Sequence, residues 1–150
     1  MFTPSVLAAQ ERYYGRSAGV VGAQERDPLT DEESEFIAAR DSFYLATVTE
    51  TGWPYVQHRG GKPGFLGVLG PNTLAFADFG GNRQMLSTGN LAANDRVALF
   101  LMDYPQRYIG IFAGSLDLSL RRRSLEASTF VRIHRSARTI ELTRFDISHR

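Results

Sequence analysis

The 150-residue chain contains no cysteine, which excludes disulfides, thiolate nucleophiles and cysteine-held metal or iron–sulfur centres together. Histidine is scarce as well. His58, His134 and His149 are the only three, and no two stand four residues apart as on one helix face. No metal site is therefore expected, and any redox chemistry has to come from a bound organic cofactor. No apolar run approaches the ~18 residues of a membrane span. Met1 to Gln10 lacks the basic stretch that opens a signal peptide. The expectation is a cytoplasmic protein that does not enter a membrane. Lysine occurs once, at Lys62, so arginine carries nearly all the positive charge.

What is present suits one domain with a real core: 43% hydrophobic and 22% charged residues around a net charge of +1. The charge is uneven. Residues 1–110 hold 9 basic and 12 acidic side chains, and residues 111–150 hold 8 and 4. The basic run at Arg121, Arg122 and Arg123 raises nucleic acid as a partner. No interleaved aromatic platform accompanies it, and arginine dominates throughout the chain, so nucleic-acid binding is not expected.

Residues 1–29 read as a leader segment, with a short helix over Val6 to Tyr14 ended by Gly15. Thr30 and Glu33 form a capping-box pattern, and Asp31, Glu32 and Glu33 suit the positive end of the helix dipole, predicting a helix from Asp31 to Arg40. From Ser42 the period falls to two. Phe43, Leu45 and Thr47 alternate with Tyr44, Ala46 and Val48, and after a turn at Glu50-Thr51-Gly52 a returning strand is expected over Trp53 to Arg59. Further strands are expected at Phe65 to Leu69, Thr73 to Ala77, Arg96 to Met102, Tyr108 to Ala113 and Thr139 to Phe145, with a helix over Asn82 to Leu91. The near-continuous apolar character of Arg96 to Met102 marks a central strand. Ser124 to Ile133 reads equally as helix or strand. Many short strands with turns between them indicate a mainly β (α+β) barrel rather than a parallel sheet. Trp53 and Phe79 are expected in the core. Strand residues such as Tyr55 and Leu99 are expected to need a second layer over their outward faces.

No G-x-S-x-G elbow, Walker loop or G-x-G-x-x-G after a strand is present, and no nucleophile–base pair stands out, so catalytic residues stay unassigned. Two polar, glycine-rich segments do stand out: Gln57-His58-Arg59-Gly60-Gly61 at a strand end, and Asp78 to Ser87 running from a loop into a helix. Glycine lets a ligand approach the backbone, a helix start offers free N–H groups, and arginine grips phosphate in a fork. Arg59, Arg83, Gln84 and Ser87 would form a phosphate cradle if the fold joins the segments. Otherwise they are turn glycines and solvated arginines.

The order and spacing of several segments resemble the pyridoxamine 5′-phosphate oxidase-like flavoproteins. The segments are Ala38 to Thr47, Gly52 to Gly61 with Pro63-Gly64-Phe65-Leu66, Leu74 to Asp78, Gly81 to Gln84, Gly89-Asn90-Leu91, Asn94 to Phe100 and Asp103-Tyr104-Pro105, together covering about residues 30–107. The resemblance implies a split antiparallel β-barrel with short flanking helices over residues 30–150. It also implies a homodimer and flavin mononucleotide (FMN) in clefts between the subunits. It assigns cofactor contacts to Gln57, His58 and Arg59 on the strand end, and to Asn82, Arg83, Gln84 and Ser87 on the loop and helix start. From residue 108 the chain departs from the family pattern, and Arg121 to Arg138 does not match it. The expected function is FMN-dependent oxidation or reduction of a small molecule. The alternative is a flavin or deazaflavin binder or carrier without turnover.

Overall fold

A computed structural model describes residues 3–15, 28–78, 84–119, 129–134 and 140–144, the last two segments, residue 78 and residues 117–119 as backbone. Helix α1, Pro4–Tyr14, is capped by the Thr3 hydroxyl, which accepts from the Val6 N–H, and ends at Gly15 in the left-handed region at φ 63°. It starts earlier than Val6 because Pro4 occupies the first turn, where its missing N–H costs nothing. Helix α2, Asp31–Ala38, has the expected capping box: Glu33 N–H donates to Thr30 Oγ1 at 3.2 Å, and Thr30 N–H donates to Glu33 Oε2 at 2.8 Å. It stops at Ala38, short of Arg40, whose side chain is engaged elsewhere.

The strands are β1 (Ser42–Val48), β2 (Pro54–Gly60), β3 (Leu66–Gly70), β4 (Thr73–Asp78), β5 (Arg96–Asp103), β6 (Tyr108–Ser119), β7 (Thr129–His134) and β8 (Ile140–Arg144), with helix α3 (Leu86–Ala93) between β4 and β5. All their pairings are antiparallel, in the order β2-β1-β5-β6-β7-β4-β3. The long β6 splits the sheet: Tyr108 to Ile111 pair with β8, while Ser115 to Ser119 pair with β7. No ladder between β2 and β3 closes the barrel among the described residues. β5 is an inner strand, as its apolar run indicates. Thr129–His134 resolves the ambiguous segment as a strand; the rest of that segment lies outside the described residues.

The sheet coils round one core. Phe43 and Leu45 of β1, Leu66 of β3, Leu74 and Phe76 of β4, Val97, Leu99 and Leu101 of β5, and Phe112 and Leu116 of β6 fill it, with Ile37 from α2 and Leu91 from α3. Phe43 meets Phe76 edge-to-face at 5.1 Å, so β4 lies across the core from β1. Gly110 lets α2 approach, since a Cβ there would lie 3.0 Å from the Phe36 ring and 2.8 Å from that of Phe112. Arg40 fastens the end of α2 to the barrel. Its guanidinium pairs with Asp103 at 2.5 Å, donates to the Met102 carbonyl at 3.2 Å, and stacks over Phe36 at 4.7 Å.

Two core expectations are corrected. Leu99 is fully buried within one chain and needs no second layer, because it falls on the inner repeat of β5. Trp53 is 73% exposed and is not a core residue. It lies in the turn before β2, where Gly52 at φ 85° and a Thr49 N–H bond to its carbonyl fold the backbone.

Candidate functional site

The register of β1 on β2 decides which candidate side chains can meet. Leu45 pairs with Gln57 and Phe43 with Arg59, so Gln57 and Arg59 share the inner face with core residues. His58 pairs with Tyr44 on the outer face. Consecutive strand residues point to opposite sides, so Gln57, His58 and Arg59 cannot converge on one point within a chain. His58 is exposed and stands edge-to-face with Tyr44 at 5.5 Å. Arg59 is half-buried, its guanidinium 5.9 Å from the Phe76 ring centroid.

Helix α3 joins the second segment to the first. Ser87, in its first turn and 2% exposed, donates from Oγ to Gln57 Oε1 at 2.9 Å. One turn on, Asn90 Nδ2 donates to Thr47 Oγ1 at 3.0 Å, and Thr47 is also buried. These two bonds lock α3 along the inner side of β1 and β2. They also orient Gln57: with Oε1 accepting, as its network assigns it, the Nε2 donors remain for a ligand. Thr47 and Asn90 were not among the sequence candidates. Thr47 stands as the one polar member of the inner series Phe43, Leu45, Thr47, and Asn90 lies three residues after Ser87, hence on the same helix face.

The helix start differs from the expectation. α3 begins at Leu86, not Asn82, with Met85 left-handed at φ 53° and no side-chain cap. Met85 thus supplies no capping oxygen to the first-turn N–H groups, the arrangement that favours an acceptor or anion there. Gln84 is exposed just before it. Asn82 and Arg83 lie outside the described residues, as does Phe79. The structure therefore brings together Gln57 and Ser87, keeps Arg59 on their face, and sets His58 apart. These groups are donors with no acid–base pair among them, so the arrangement can bind and orient a ligand rather than transfer protons. Among the described residues no group of three or more His, Asp or Glu could hold a metal. No helix there is long and apolar enough to cross a membrane.

A concavity lies away from these residues. It runs along α1 between Ser5, Val6, Ala9, Gln10, Tyr13 and Tyr14 and includes none of these site residues.

The coiled antiparallel sheet, split at β6 and flanked by short helices, is a split β-barrel of the pyridoxamine 5′-phosphate oxidase type. The model of the pyridoxamine 5′-phosphate oxidase family matches residues 29–143, and the chain belongs to that family. Solved structures agree on the fold. A pyridoxamine 5′-phosphate oxidase candidate from Lactobacillus delbrueckii superposes with a TM-score of 0.58 at 19% identity, covering 77% of this chain and 96% of that one. HutZ, the heme storage protein of Vibrio cholerae, gives 0.55 at 17%, covering 76% and 94%. A Clostridium acetobutylicum protein related to general stress protein 26, of the pyridoxinephosphate oxidase family, gives 0.54 at 13%, covering 69% and 81%. A search of curated proteins finds no match.

Proposed function

We propose that this chain binds FMN at the junction of β2 and α3 and uses it as an oxidoreductase of a small molecule. The Ser87–Gln57 bond carries the reading, because it unites two segments 30 residues apart into one donor-lined site. Gln57 Nε2, the Arg59 guanidinium and the first-turn amides of α3 would hold acceptor atoms of the ligand, with Arg83, Gln84 and Asn82 supplying the phosphate end. When bound, the isoalloxazine supplies hydride and electron transfer, and the chain supplies binding and orientation. That division suits a site without an acid–base pair.

The outer face of the β2-β1-β5-β6 sheet supports a homodimer. Val56, Ala46, Ala98 and Ala113 form one row across it, and His58, Tyr44, Phe100 and Ile111 the next. Tyr44 is 39% and Val56 59% exposed. An apolar sheet face left in water favours a second layer. With that face joined to a second copy, His58 would lie at the subunit junction.

The relation to a heme storage protein gives a second reading, in which exposed His58, set among Tyr44 and Val56, would ligate heme iron. The absorbance of the purified protein separates the two: a flavin spectrum supports the first, a Soret band the second. A flavin spectrum without reduction by a nicotinamide donor would leave a carrier. FMN and riboflavin titrations then test the cradle. Arg83→Ala should weaken FMN binding at least ~10-fold, the value of one charge-assisted contact, and leave riboflavin affinity nearly unchanged. Arg83→Lys should recover only part of the loss, since an ammonium cannot reproduce the fork. Equal losses for both ligands would move the phosphate site elsewhere.

A further inference from the structure

Among the described residues the buried polar side chains are Thr47 and Ser87, each 2% exposed. Both are hydroxyls, and each holds a carboxamide at the junction of α3 with the sheet. The residues they hold, Gln57 and Asn90, are half-buried. A hydroxyl has one proton. That of Ser87 goes to Gln57 Oε1 at 2.9 Å, so Ser87 has none left for a phosphate and acts through Gln57. The Gln57 Nε2 donors meet no acceptor among the described residues. Asn90 is held the opposite way round. Its Nδ2 donates to Thr47 Oγ1 at 3.0 Å, and its Oδ1 meets no donor among the described residues.

The two amides are neighbours. Ser87 and Asn90 stand three residues apart on α3, a spacing of ~5–6 Å between Cβ atoms. Gln57 pairs with Leu45, two residues before Thr47 on β1, which makes Gln57 and Thr47 diagonal neighbours on the inner face. A carboxamide left alone turns and shows either atom; the hydroxyls remove that choice. The site thus offers an N–H donor and a carbonyl acceptor side by side. The ligand edge that matches is an imide, in which a carbonyl and an N–H stand next to each other. The pyrimidine ring of the isoalloxazine carries that edge at O4 and N3–H, and heme has none. The order along the helix agrees. The segment proposed for the phosphate precedes α3, and Asn90 lies ~6 Å along the axis from Leu86, leaving room for the ribityl chain between phosphate and ring.

We infer that Gln57 and Asn90 recognise the imide edge of the flavin, Gln57 Nε2 donating to a ring carbonyl and Asn90 Oδ1 accepting from N3–H, with Ser87 and Thr47 as their positioning residues. The inference rests on the FMN reading above and adds which edge of the ring the protein selects. The test compares FMN with 3-methyl-FMN, in which a methyl group replaces the N3 proton. By fluorescence titration the wild-type chain should bind FMN at least ~10-fold tighter, because the methyl leaves Asn90 Oδ1 facing an apolar group. Asn90→Ala should lose FMN affinity and bring the two ligands within ~3-fold of each other. Asn90→Asp, which keeps an acceptor, should keep the preference. Thr47→Val releases Asn90 and should reduce the preference, whereas Thr47→Ser should preserve it; this pair decides the matter if Asn90→Ala does not fold. Gln57→Leu should weaken both ligands alike, since both carry the ring carbonyl. A wild-type chain that binds no flavin would overturn the FMN reading and this one together. Tight FMN binding with equal affinity for 3-methyl-FMN would overturn this one alone. So would an Asn90→Ala loss equal for both ligands, which would mean that Asn90 only holds α3 in place.

Discussion

The two faces of the β2-β1-β5-β6 sheet are built from the same strands and almost the same kinds of residue, yet they are buried very differently. On the inner face Phe43, Leu45, Leu99 and Leu101 are each 1% exposed or less, and Asp103 ends the β5 series in its ion pair with Arg40. On the outer face Tyr44, Val56, Phe100 and the alanine row remain partly in water. Composition therefore does not say which side of a strand is covered. The inner face is closed by the chain's own coiling, with α2 and α3 plugging the ends. The outer face is largely apolar and stays partly exposed among the described residues, which is the pattern of a surface that a second layer completes.

The largest expected effect separates the faces directly. Leu99→Ala should destabilise the chain by ~2–5 kcal/mol, since the side chain leaves a cavity in a closed core. Val56→Ala should change unfolding free energy by no more than about 0.5 kcal/mol, the range of exposed positions. Urea denaturation at a concentration where the protein is monomeric measures both; equal losses would show that the outer face is covered by the chain itself.

A smaller effect lies at the end of the inner series. Asp103 is held below its ordinary value of 3.8, first by the Gln106 N–H, which donates to its carboxylate at 3.0 Å, and then by Arg40. A depressed folded-state value means that the unfolded chain binds the proton more readily. The contribution is thus complete above pH 3.8 and is lost as pH falls through the lowered value. Asp103→Asn should cost about 1–2 kcal/mol near neutral pH, a charged hydrogen bond partly screened by solvent. The deficit should shrink as the solution is acidified below pH 3.8, and a deficit constant with pH would assign it to packing.

The smallest effect is predicted for Trp53→Ala. At 73% exposure its loss should shift monomer stability by no more than ~0.5 kcal/mol. A large loss of monomer stability would return Trp53 to the core.

Much of this architecture was legible in the chain. The Thr30–Glu33 capping box, the period of two from Ser42 and the long apolar run at Arg96 to Met102 are local patterns, and local backbone preference suffices to produce them. The same alternation already implied that, within one chain, Gln57 and Arg59 face one way and His58 the other, so that division was legible in the sequence. The start of α3 was not. Met85 enters left-handed without a capping side chain, and no residue type there announces it. The burial of Leu99 and the exposure of Trp53 were equally illegible, because both residues are apolar and only the folded chain shows that one lies on the inner repeat of β5 and the other in a turn outside the core.

The sequence by itself determined the strand and helix segments, the absence of cysteine chemistry and the two polar segments from which a site could be made. Only the tertiary structure decided that those segments meet, through Ser87 and Gln57 across 30 residues, and which face of each strand is closed. The physical reason is range. Capping, turn geometry and side-chain alternation act over a few residues, whereas register and the coiling of a sheet are fixed by packing between residues far apart in the chain.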